Sequence, residues 1–68
     1  MLLEVTQLGV GDEIEDRVVF KHPGYAWAYL FDNGIVTDDA HGVMGYLADM
    51  AVGQAVDYSC KCYVKRIA

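Results

Sequence analysis

The sequence predicts a mainly β domain of the α+β class: a strongly bent antiparallel sheet or partly open barrel of four to five strands, with one helix near residues 39–51. Three patterns predict it. Apolar and polar side chains alternate over residues 13–20 and 54–67, as in strands with one wet face. Residues 24–31 carry an aromatic ring at every second position, Tyr25, Trp27, Tyr29 and Phe31, which a strand would gather on one face. Ala40, Val43, Met44, Leu47 and Ala51 recur at helical spacing.

Residues 1–8 alternate loosely, with Leu3 and Val5 opposed to Glu4 and Thr6, and read as a first strand. Gly9-Val10-Gly11-Asp12 supplies a tight turn, since glycines reach the positive φ that turns need. Over 13–20, Ile14, Val18 and Phe20 face one way and Glu13, Glu15 and Arg17 the other, with Asp16 interrupting the apolar side at a bend or rim. Lys21-His22-Pro23-Gly24 reads as the next turn. The aromatic strand then meets Asn33-Gly34, a strong hairpin signal, with Ile35-Val36 opening the return strand.

Thr37-Asp38-Asp39 marks a helix start, because a capping side chain and early acids satisfy the free amides and the dipole there. Gly53 is placed to end that helix, and Gly42 and Gly45 weaken it by about 1 kcal/mol each. The alternation of 54–67 puts Val56, Tyr58, Cys60, Cys62 and Val64 on one face. It reads as one long strand, bent to serve two sheets.

The 68 residues form one domain, 1–68, near the lower size limit for folding without disulfides or metal. An apolar fraction of 54% and a net charge of −5 describe a folded acidic domain with apolar surface to spare, which favours a partner or a homodimer. No basic leader or long apolar run is present, so a cytoplasmic location is expected. Cys60 and Cys62 are expected as free thiols, because neighbouring same-face positions on a strand sit at or beyond disulfide reach.

Several landmarks, in order, carry a resemblance. Val10-Gly11-Asp12 enters one strand, Gly24-Tyr25-Ala26-Trp27-Ala28 makes an aromatic stretch, Asp32-Asn33-Gly34 turns, and Val52-Gly53-Gln54-Ala55-Val56 enters the last strand. This succession resembles the OB-fold RNA-binding domains, namely the cold-shock domain and the repeated domain of the large ribosomal RNA-binding protein. The resemblance implies a small barrel that stacks single-stranded RNA or DNA on Tyr25 and Trp27. The chain departs from that pattern at Ala26, where the family has glycine, and at Pro23, where it has lysine.

Two functions follow as expectations, both non-catalytic. In the first, Tyr25, Trp27 and Tyr29 form a stacking platform, helped by the basic-aromatic cluster Lys61, Tyr63 and Lys65. In the second, the chain is a small acidic protein-binding module, inhibitor- or adaptor-like or homodimeric, with a composition seen in phage and mobile-element proteins; it meets its partner through the aromatic row or through an acidic face of Glu13, Glu15 and Asp16 with Asp32, Asp38 and Asp39. Cys60 and Cys62 with His22 and His41 lack zinc-site spacing, so no metal is expected. No phosphate loop or nucleophile motif points to a catalytic residue or a cofactor.

Overall fold

In the computed structural model, which describes residues 1–68, the chain runs β1 (Leu3–Leu8), β2 (Ile14–Phe20), α1 (Pro23–Asp32), α2 (Ala40–Asp49), β3 (Ala55–Ser59) and β4 (Cys62–Arg66). A short 3₁₀ turn, Val10–Asp12, links the first two strands. The four strands form one antiparallel sheet in the order β2-β1-β4-β3, so the first and last strands lie in the middle. Both helices pack on one face. The expected four-stranded antiparallel sheet and the helix near 39–51 are present, but the sheet does not close into a barrel, and β2 and β3 are its two edges.

The largest correction concerns the aromatic stretch, which is helix α1 rather than a central strand. Local chemistry explains why. The imidazole of His22 accepts the amide of Gly24 at 3.0 Å, capping the start, and Pro23 occupies the first turn, where its missing N–H is no loss. Ala26, Ala28 and Leu30 are strong helix formers. Gly34, at φ +70°, ends the helix: its amide bonds Phe31 O at 3.0 Å while the amide of Ile35 bonds Leu30 O at 2.9 Å. That pair of bonds is a Schellman motif, so Asn33-Gly34 terminates a helix instead of turning a hairpin.

Rings at every second position are compatible with this helix because they form two i, i+4 pairs. Tyr25 with Tyr29 and Trp27 with Phe31 flank a buried stripe made by Ala26 and Leu30. Trp27 and Phe31 stack with centroids 5.2 Å apart, while Tyr29 leans on Phe20 at 5.3 Å. Each such pair adds about 0.5–1.5 kcal/mol beyond simple burial.

The long strand expected over 54–67 is a hairpin, with Cys60-Lys61 as its turn. A two-residue turn pairs Ser59 with Cys62, residues of opposite parity. The bulge between Asp57 and Ser59 then restores Asp57 to Tyr63 and Val56 to Val64. Paired residues share a face, so alternation passes through the turn unbroken and conceals it.

Helix α2 begins where the sequence places it. Asp39 accepts the amide of Gly42 at 3.2 Å, and a methyl at position 42 would collide with that carboxylate. The helix stops at Asp49, before Gly53, whose positive φ serves the following turn. At its C-terminal end, Arg66 donates from Nη1 to Met50 O at 2.7 Å, tying the helix to β4. Asp39→Ala is expected to lower stability by about 1 kcal/mol in urea unfolding, with Asp39→Asn retaining most of it; an unchanged midpoint for the alanine variant would exclude the cap as a stabilising bond.

The core lies between the layers. Leu3, Val5, Cys62 and Val64 contribute from the sheet and Ala26, Leu30, Leu47 and Met50 from the helical layer, all buried.

Candidate functional site

The sheet face turned away from the helices carries two cross-strand rows. Val19, Glu4, Lys65 and Ala55 are in register in one, and Arg17, Thr6, Tyr63 and Asp57 in the other. Arg17 lies 3.6 Å from the Glu4 carboxylate and donates to the hydroxyl of the fully buried Thr6 at 3.3 Å. The two bases of these rows, Arg17 and Lys65, are thus matched in number by Glu4 and Asp57. A surface of that kind has no excess positive charge with which to displace counterions from a polyanion.

The six residues singled out in the sequence do not come together. Tyr25, Trp27 and Tyr29 lie on α1, whereas Tyr63 and Lys65 lie on the far side of the sheet. Lys61, in the β3–β4 turn, pairs with Asp12 at 2.7 Å, and it also donates to Gly9 O at 3.4 Å. The ion pair holds the Asp12 carboxyl below its ordinary range and the Lys61 amine above its own.

Nor do the three tyrosine and tryptophan rings of α1 share a role. Tyr29 is a structural bridge: its hydroxyl donates to Asp16 Oδ2 at 2.5 Å and accepts from Gln7 Nε2 at 2.7 Å. Burial, and then the bond to Asp16, raise its phenol pKa. The bridge also accounts for Asp16 on the apolar side of β2. Trp27 is half-buried against Phe31, and its indole N–H is buried without an acceptor. Tyr25, by contrast, is 69% exposed.

Tyr25 is one of three exposed rings on the helical layer. Phe31 is 42% exposed at the end of α1 and Tyr46 is 48% exposed on α2. Tyr25 and Asp32 sit seven apart, and Tyr46 and Asp49 three apart, so each pair shares a helix face. Asp32, Asp38, Asp39 and Asp49 are all exposed, and residues 23–50 contain no Lys or Arg. Absence of bases from 23 to 50 is legible in the sequence, but it becomes a surface only once both segments fold as helices in one layer.

The cysteines differ in environment. Cys60 is exposed in the turn, and Cys62 is buried, where loss of solvent raises its thiol pKa. A disulfide reagent at mildly alkaline pH is therefore expected to modify Cys60 quickly and Cys62 only at the rate of unfolding; equal fast reaction of both thiols in the Cys60→Ser and Cys62→Ser single variants would contradict this assignment.

No helix is long and apolar enough to cross a membrane. The sheet and the two helices define a two-layer α+β domain with four of its ten acids and its three exposed rings within residues 23–50. No protein-family profile, curated protein or solved structure matches the chain.

Proposed function

We propose that this chain is a non-catalytic protein-binding module that docks its helical layer onto a basic surface of another protein. The observation that carries the reading is the composition of that layer: it exposes Tyr25, Phe31 and Tyr46 and also Asp32, Asp38, Asp39 and Asp49, with no Lys or Arg between 23 and 50. Exposed aromatic rings are the side chains most often enriched at interfaces, because they bury large area at low entropic cost. The acids steer a basic partner and set the salt dependence of the encounter. They also disfavour a second copy of the same face, since like charges would meet.

Single-stranded nucleic acid, bound in the manner of an OB domain, is less well supported. The rings that would stack bases lie on a helix, and three of the five bases are engaged within the chain: Arg17 with Glu4, Lys61 with Asp12, and Arg66 with Met50 O.

A photo-crosslinking residue placed at position 46, and separately at position 63, tests the reading in extract from the source cells. Crosslinks to a protein from 46 and not from 63 are expected. The purified partner should then bind with an affinity that falls as salt rises. Crosslinks to nucleic acid, with Trp27 emission changing on addition of oligonucleotide, would replace this reading with the OB-like one.

A further inference from the structure

One concavity has the opposite electrostatic character from the rest of the molecule. An open cleft of about 590 Å³ lies where the end of β2 and the start of α1 meet α2. Lys21, His22 and His41 line it, so that both histidines of the chain and one of its three bases without an acidic partner meet in one place. No carboxylate lines it, although the chain has ten acids. Met1, Pro23 and Met44 supply an apolar wall, and Met44 and His22 both stand against Gly24, so apolar and polar walls adjoin.

The donors that face the cleft come from side chains. Backbone amides at the start of α1 are already used: Gly24 N–H is taken by His22 Nδ1, and the amides of Tyr25 and Ala26 by His22 O. Because Nδ1 accepts a hydrogen bond, the neutral ring carries its proton on Nε2, which makes His22 a donor and disqualifies that nitrogen as a metal ligand. The site therefore suits an acceptor with negative charge rather than a cation.

From this geometry we infer that the cleft binds a small amphipathic carboxylate, its head toward Lys21, His22 and His41 and its short alkyl or aryl tail along Met1, Pro23 and Met44. The volume is within the range of small-molecule sites. Charge selects the head, and the thioethers, which adapt to irregular shapes, accommodate the tail.

Hexanoate, with acetate, hexan-1-ol and inorganic phosphate as comparisons, tests this by amide chemical-shift titration of the full chain. Hexanoate is expected to shift the signals of Lys21, His22, His41 and Gly45 saturably, with Kd about 1 mM, the range small-ligand efficiency allows. Acetate lacks the tail and hexan-1-ol the charge, so each should bind at least about tenfold more weakly. Lys21→Gln and His41→Gln, both at exposed positions, should weaken hexanoate about three- to fivefold each, and Lys65→Gln on the far face should leave it unchanged. Linear shifts to about 20 mM, equal binding of hexan-1-ol or phosphate, or equal weakening by Lys65→Gln would each overturn the inference.

Discussion

Leu47→Ala is expected to destabilise the domain by about 3 kcal/mol, enough to leave a sizeable unfolded population at 37 °C. Leu47 is the only fully buried residue within α2, so it is the side chain through which that helix is held to the core. Removing it deletes apolar contacts with a layer that supplies only three other buried residues, Ala26, Leu30 and Met50. A domain of this size has a total stability of about 3–10 kcal/mol, so the loss is a large share. Thermal unfolding should fall by about 12 °C or more, while Leu47→Met, which conserves volume, should lose less than about 1.5 kcal/mol. A loss below about 1 kcal/mol for the alanine variant would mean that α2 is anchored elsewhere.

Tyr25→Ala combined with Tyr46→Ala is expected to weaken binding of the crosslinked protein partner by at least thirtyfold, the effect of removing about 2 kcal/mol of interface contact. Both rings are exposed, so folding stability should stay within about 0.5 kcal/mol of the parent and the loss belongs to the interface. Tyr63→Ala is the control, because Tyr63 stands on the opposite side of the sheet from both helices. Calorimetric titration of parent and variants with the partner measures the difference. If Tyr63→Ala weakens binding and the double variant does not, the docking face is the open sheet.

Where periodicity and local chemistry agreed, the sequence was a reliable guide. Over 13–20 the alternation of Val18 and Phe20 with Arg17 and Val19 follows the two faces of β2. At 39–49 the capping aspartate and the apolar stripe locate α2. Both patterns failed in instructive ways elsewhere. Four rings at every second position satisfy a strand and also two i, i+4 pairs on a helix, so the period alone does not separate the alternatives over eight residues. The deciding signals were the punctuation: His22 and Pro23 at one end and Gly34 at the other are a helix start and stop as much as they are turns.

The candidate surface was legible only in part. Tyr25 was identified as a contact residue, and it is exposed. Trp27 and Tyr29, singled out with it, prove to be occupied in packing and in the Asp16–Gln7 bridge. Tyr46 and Asp49 were passed over as contact residues, because a lone tyrosine or aspartate in a helix carries no signal until its neighbours from another helix are known.

By itself the sequence determined a small acidic α+β domain with β at both ends, a capped helix near 39–51, free thiols, and a central segment without bases. Those properties follow from composition and from chemistry within a few residues of each position. Only the tertiary structure decided that the aromatic stretch is helical, that the last fourteen residues fold back on themselves, and which rings meet solvent. Each of these depends on what a residue packs against. Burying Ala26 and Leu30 against Leu3, Val5 and Val64 selects the helix for 24–31, and a bulge that preserves parity lets β3 and β4 pair without disturbing the alternation. Contacts between residues far apart in the chain settled what spacing along it left open.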